Sequence, residues 1–217
     1  MTAPSGVGRA WDTALARVEA AARRVGRDPA SVRIIAATKT VPVDRIREVL
    51  AAGCTDLGEN RAQELLAKAP ELADAAPLWH FIGSLQRNKV KALAPWVRCW
   101  HTLDRESLVA DLAGRAPGAR VLVEVNLAAE PQKGGCPPEA LGPLVASARR
   151  AGLDVVGLMT VPPRGVDPRP WFAELVARAE ALGLPERSMG MSEDFEVAVE
   201  EGATIVRLGR TLFGDRD

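Results

Sequence analysis

Among 217 residues there are five lysines, and of these only Lys39 closes a run that reads as a strand. The run is RIIAATK, residues 33–39. Alternation with a period of two puts Ile35, Ala37 and Lys39 on one face, and Ile34, Ala36 and Thr38 on the other. An amine crowning a small apolar face is desolvated, which favours its neutral form, and a neutral amine can capture an aldehyde as a Schiff base. The plainer reading is a solvated lysine at a strand end. A second cation, Arg207, lies between Val206 and Leu208 in TIVRLG (204–209), an apolar run where an arginine is out of character. Two further segments offer phosphate chemistry. GMSEDF (190–195) puts the Ser192 hydroxyl where a helix cap belongs, with Glu193 and Asp194 in the first turn; taken alone, Ser192 is a plain cap. LGRTLFG (208–214) lets the backbone approach an anion at Gly209, and Arg210 and Thr211 add donors. An amine, an arginine and a phosphate cradle together suit a phosphorylated aldehyde, and pyridoxal 5'-phosphate (PLP) is the obvious candidate.

These residues need a scaffold that brings distant segments together. Eight short apolar runs read as strands: 33–39, 54–58, 79–83, 97–103, 120–127, 153–161, 187–192 and 204–209. The stretches between them are mostly amphipathic. One helix begins at Pro42-Val43-Asp44 and stops at Gly53; another runs from Trp171 to Leu182 and ends at Gly183. Strands alternating with helices imply a parallel sheet, and eight units imply a closed (β/α)8 TIM barrel with functional residues at the C-terminal strand ends. In a closed barrel the eighth strand lies beside the first, so Arg207 and Lys39 share a rim. A typical barrel takes about 250 residues, so this one is trimmed. TLFGDRD is too short for a full last helix, and a helix over 8–25 is expected to cover the gap near strands eight and one. An open doubly wound sheet is the runner-up, but no G-x-G-x-x-G follows the first strand. The Pro-rich segment 161–170 reads as a loop, so residues 1–217 are expected to form one domain.

Composition narrows the partners. Formal net charge is zero, which argues against nucleic acid or an anionic membrane surface. No stretch approaches the roughly 20 apolar residues of a membrane span, and the N-terminus has no apolar core of a signal peptide. Cys54, Cys99 and Cys136 are odd in number and widely spaced, without metal-ligand spacing. A reducing cytoplasm is the expected setting.

ATKT (37–40), LGENRAQE (57–64), WHFIGSLQRNK (79–89), GLMTVPP (157–163), SMGMSEDFEVAVEEGAT (188–204) and VRLGRTLFGDRD (206–217) together resemble the pyridoxal phosphate homeostasis protein family. Its fold is similar to the barrel domain of bacterial alanine racemase, the PLP fold-type III barrel. The resemblance implies that Lys39 carries the internal aldimine, that Arg207 faces the pyridine nitrogen, and that Ser192 with the backbone after Gly209 holds the phosphate. Asn60, in the G-E-N segment, either lines the pocket or caps a helix. His80 is expected to be structural, and Met159 and Met191 to be core packing. Two departures stand out. The family has Ser or Thr after R-x-G, where this chain has Arg210: a hydroxyl contact is lost or replaced by a guanidinium, unless only the Arg210 backbone N–H reaches the phosphate. The family's K-S-G is KGG here, after Lys133.

A cation facing the ring nitrogen disfavours its protonation and weakens the electron sink. Racemases of the resembling fold pair their lysine with a tyrosine from a second domain, and this chain contains no tyrosine. A missing proton-transfer group forgoes roughly 10²–10⁴-fold in rate. The expectation is therefore a non-catalytic monomer that buffers PLP and delivers it to apo forms of PLP-dependent enzymes. The alternatives are a racemase using His80, Cys136 or an oligomer partner as its second acid-base group, and a barrel binding another phosphorylated ligand without a covalent step.

Overall fold

The computed structural model describes residues 6–214. Eight parallel strands close into a barrel in sequential order: β1 (Arg33–Ala37), β2 (Asp56–Glu59), β3 (Leu78–Phe81), β4 (Val97–Leu103), β5 (Arg120–Glu124), β6 (Asp154–Met159), β7 (Glu186–Ser188) and β8 (Ile205–Leu208). All eight expected runs supply a strand. The barrel closes where β1 pairs with β8, with Ile35 opposite Arg207.

The helices are α1 (Gly6–Arg24), α2 (Val43–Ala51), α3 (Ala62–Glu71), α4 (Val90–Leu93), α5 (Glu106–Arg115), α6 (Leu141–Arg150), α7 (Arg169–Ala181), α8 (Phe195–Glu200) and α9 (Arg210–Phe213). In α1 the buried Val7, Trp11, Ala14, Val18, Ala21 and Ala22 recur at helical spacing, so one stripe faces the protein. That stripe packs across α8, α9 and α2, which closes the side of the barrel where the single-turn α9 follows β8. Arg17 pairs with Glu196 at 2.9 Å and lies over the Phe195 ring, and Arg24 pairs with Glu200 at 2.8 Å. The expected helix over 8–25 is thus present and placed near β8 and β1.

Three boundaries differ from the sequence reading. The run 187–192 leaves the sheet after Ser188, because Gly190 adopts φ 90° and a Cβ there would come within 2.5 Å of Ala198 Cβ. The Pro-rich loop ends earlier than 170, since α7 takes in Pro170 in its first turn, where a missing N–H costs nothing. Ser192, Glu193 and Asp194 all precede α8, whose N-cap position is Asp194. Among the described residues no helix is long and apolar enough to cross a membrane.

Two cores result. The larger lies between sheet and helices, where Ile34 and Ala36 point. The smaller fills the barrel with Ile35, Cys99, Leu122, Val156, Met159 and Ile205. The period-two assignment of β1 therefore has the correct sense, and the face carrying Ile35 points inward.

Candidate functional site

Lys39 lies two residues beyond β1, half-buried at the mouth of the barrel. Its position is set by the residues on either side. Thr38 donates from its hydroxyl to Gly58 O at 3.1 Å and to Glu59 Oε2 at 3.0 Å. Thr40 sits at φ 60°, a region unfavourable for a β-branched residue, and its N–H is held by Glu64 Oε2 at 2.7 Å. Lys68, reaching in from α3, ties these together. Its Nζ donates to Thr38 O at 2.7 Å, Glu59 Oε2 at 2.8 Å and Glu64 Oε2 at 2.7 Å. Lys39 itself has no hydrogen-bond or ion-pair partner among the described residues. Its amine faces a cavity of about 760 Å³, within the usual range of small-molecule sites.

The same cavity is lined by Asn60, Glu124, Met159, Ser192, Arg207, Gly209 and Arg210, so Lys39 and the other five residues expected to bind the cofactor share one cavity. Gly83 brings the β3 end close to Asn60, whose carbonyl oxygen would lie 2.1 Å from a Cβ at that position. Asn60 is exposed and does not cap α3, where Arg61 holds the N-cap position. Ser192 is not a helix cap either. Its Oγ accepts from the Thr211 N–H at 3.1 Å, and its own hydrogen has no acceptor among the described residues. The Arg210 guanidinium is exposed and pairs with Glu193. Met159 is packed in the barrel core as expected, yet it and Met191 also form part of the cavity wall.

Arg207 is buried at 5% exposure. It donates to Ser188 Oγ at 2.7 Å and to Thr160 O at 3.1 Å. Burial pushes its guanidinium down to about 10, opposed by Glu124 and Asp194, so it remains a cation at neutral pH. Glu124, at the end of β5, is a residue that sequence reasoning missed. Burial, reinforced by Asp104 and opposed by Arg207, pushes its carboxyl up to about 7. A Cβ at Gly134, the first glycine of KGG, would stand 3.3 Å from Glu124 Oε2. The only advance signal was a carboxylate ending an otherwise apolar strand, RVLVE.

The other proposed acid-base groups are elsewhere. His80 is buried inside the barrel between Asp56 and His101 and does not line the cavity. Cys136 is buried, and its thiol is pushed up to about 11, first by that burial and then by Asp104. Lys133 pairs with Glu130 and donates to Pro162 O at 2.8 Å, tying the loop after β5 to the loop after β6.

A family model described as the alanine racemase N-terminal domain matches residues 13–217. The pyridoxal phosphate homeostasis protein of Aquifex aeolicus is 44% identical over 216 residues, covering 93% of this chain and 95% of its own. That of Pseudomonas aeruginosa is 41% identical over 212 residues, covering 93% and 92%. The human protein of that name is 37% identical over 245 residues, covering 100% and 89%. The structure of PipY from Synechococcus elongatus with PLP bound superimposes with a TM-score of 0.78 at 33% identity, covering 91% of this chain and 100% of that one. Alanine racemase from Corynebacterium glutamicum shares the fold, with a TM-score of 0.67 at 15% identity over 94% of this chain and 61% of its own.

Proposed function

Since the chain belongs to the pyridoxal phosphate homeostasis protein family, we propose that it binds PLP at the barrel mouth and buffers or delivers it without turnover. The observation that carries this is an amine without a partner among the described residues, Lys39, sharing one cavity with a buried cation, Arg207, and a hydroxyl, Ser192, whose hydrogen has no acceptor among them. The donor set fits the group. PLP brings an aldehyde that an amine can capture, a ring nitrogen that can accept a hydrogen bond, and a phosphate dianion. Lys39 takes the aldehyde carbon. Arg207, fixed by Ser188 and Thr160, presents its guanidinium to the ring nitrogen. Ser192 donates to the phosphate, alongside the backbone after Gly209. Asn60 lines the side of the pocket.

The carrier reading rests on Arg207 and on the missing tyrosine. A permanent cation beside the ring nitrogen disfavours its protonation, so the site is a poor place to stabilise a carbanion. The open mouth admits water, which suits a protein that must give its ligand up. Residues 1–217 act as one unit, an intracellular monomer whose recipients are apo forms of PLP-dependent enzymes. One observation favours the racemase alternative. Glu124 on β5 and Lys39 after β1 stand on opposite sides of an eight-stranded ring, and the Glu124 carboxyl titrates near neutrality. The test is an absorbance titration with PLP followed by borohydride reduction and peptide mapping. The adduct is expected on Lys39, with the long-wavelength band lost in Lys39→Ala. Mapping to another lysine would overturn the site. Sustained amino-acid turnover, lost in both Lys39→Ala and Glu124→Gln, would replace the carrier by the enzyme.

A further inference from the structure

The barrel interior holds a second polar system that the proposed binding site does not use directly. It begins at the floor and ends at Arg207. Asp56, at the start of β2, contacts His80 Nε2 through Oδ1 at 2.9 Å. His80 Nδ1 meets His101 Nε2 at 2.9 Å. His101 Nδ1 meets Ser188 Oγ at 3.0 Å, and Ser188 Oγ accepts from Arg207 Nη1 at 2.7 Å. Asp56, His80, His101, Ser188 and Arg207 are all buried, at 5%, 2%, 0%, 0% and 5% exposure. Four hydrogen bonds in single file thus cross the barrel through β2, β3, β4, β7 and β8.

The direction of this chain is fixed from its two ends. A guanidinium can only donate and an ionised carboxylate can only accept. Asp56 is held below the usual carboxylate range: its burial opposes ionisation, but hydrogen bonds from His80 and Thr55 outweigh that. One arrangement then satisfies every atom. Arg207 donates to Ser188, Ser188 to His101 Nδ1, His101 Nε2–H to His80 Nδ1, and His80 Nε2–H to Asp56. Both imidazoles carry their hydrogen on Nε2. Burial, with the positive charges of Arg207 and Arg33, holds His101 well below the usual histidine range, in keeping with a neutral ring. The cluster of His80, His101 and Cys99 could be read as a metal site. However, all four ring nitrogens are already engaged with protein partners, and Arg33, Arg98 and Arg120 line the floor cleft beside Cys99.

We propose that Asp56, His80, His101 and Ser188 are positioning residues that lock the Arg207 guanidinium in the orientation that meets the ring nitrogen of the bound ligand. The role rests on the PLP reading of the cavity. Asp56 acts at the far end of the barrel from the ligand and sets the direction of the whole chain.

The chain has two histidines, and both belong to this system. A nitrogen-detected histidine spectrum of the unliganded protein therefore contains two rings and no background. Both are expected as the Nε2–H tautomer, and finding either ring as Nδ1–H would overturn the assignment. Asp56→Asn keeps the shape but offers both a donor and an acceptor, so the direction is no longer imposed; mixed tautomers are expected. Ser188→Ala cuts the contact to Arg207. In both variants the Kd for PLP is expected to rise, about tenfold for Ser188→Ala, as one lost hydrogen bond to a charged group implies. The Kd for the analogue with carbon in place of the ring nitrogen is expected to stay within about twofold. Equal weakening of both ligands would mean a merely structural role and would sink the proposal, as would no weakening of either. Should Ser188→Ala fail to fold, Asp56→Asn carries the test alone. If the wild-type protein binds no PLP at all, the cofactor reading falls and takes this role with it, whereas wild-type binding with unmoved variants removes the role alone.

Discussion

The two sides of the barrel mouth are held in place by opposite means. Around Lys39 the support is ionic and branched: Lys68 meets two carboxylates and a backbone carbonyl, and Glu59 and Glu64 hold Thr38, Thr40 and the Asn60 N–H. Around Arg207 it is a single file of hydroxyl and imidazole groups leading away from the site. The branched network fixes a backbone, including a strained Thr40, and leaves the Lys39 amine without a partner among the described residues. The single file, with Thr160 O, fixes one side chain through two of its five N–H donors. A group that must react is left clear by its neighbours, whereas a group that must only point is tied down on its protein side.

The sharpest way to break this contrast is at Lys68. Its side chain is 10% exposed and that of Glu59 is 0% exposed. Lys68→Ala strands a buried carboxylate, and removal of one partner from such a pair costs about 3–5 kcal/mol. Chemical denaturation should show a loss of that size. The corresponding loss for the exposed Arg47–Asp74 pair should be far smaller. A loss below about 1 kcal/mol for Lys68→Ala would mean that the pair does not hold the Lys39 segment.

Glu124, across the ring from Lys39, tests the cavity that they share. Its carboxyl is raised from 4.5 to about 7, so the folded state prefers the protonated form. A group raised in this way contributes stability that is complete below pH 4.5 and is lost as pH climbs through 7. The wild-type protein should therefore lose on the order of 3 kcal/mol relative to Glu124→Gln across that window, with no further divergence above it. Denaturation midpoints at several pH values would check this. Parallel curves for the two proteins would place Glu124 in an environment wetter than the structure indicates.

How much of this could be read from the sequence depends on how local each signal is. The barrel was legible because each strand is a short apolar run with its own turn chemistry, and Lys39 and Arg207 were legible because each is a cation within or just beyond such a run. Ser192, Gly209 and Arg210 were legible as anion donors in the loops around the last two strands, and Asn60 followed from the family resemblance. The file from Asp56 to Arg207 was not legible. Its successive members are separated by 19 to 87 positions along the chain, and only barrel closure aligns them. One signal was available: Asp56, His80, His101 and Ser188 are polar residues on inward faces of apolar strands. Registering β2, β3, β4 and β7 against each other would have stacked them. Ser192 was read as a cap, but α8 starts after Asp194 without a side-chain cap: Asp194 Oδ1 accepts from the Met191 N–H and Ser192 Oγ from the Thr211 N–H.

The smallest effects separate two neighbours at the proposed phosphate end of the cavity, Ser192 and Arg210. Ser192 is half-buried, anchored by the Thr211 N–H, and has a hydrogen to give. A hydrogen bond from it to a phosphate dianion is worth roughly 1.5–3 kcal/mol, so Ser192→Ala should weaken PLP about tenfold or more and leave pyridoxal, which lacks the phosphate, nearly untouched. Arg210 stands where the family has a hydroxyl, yet its guanidinium pairs with Glu193, with side chains 53% and 70% exposed. Exposed pairs of this kind contribute about 0–1 kcal/mol. The screened charge lies at the rim, and the backbone N–H survives truncation. Arg210→Ala should therefore change PLP affinity by less than about threefold, with the small change fading as salt is raised. A tenfold loss in Arg210→Ala that persists at high salt would mean that the guanidinium leaves Glu193 and takes over the missing hydroxyl's contact. In that case the phosphate end would be held by charge, as the Lys39 side is, rather than by the neutral donors found around Arg207.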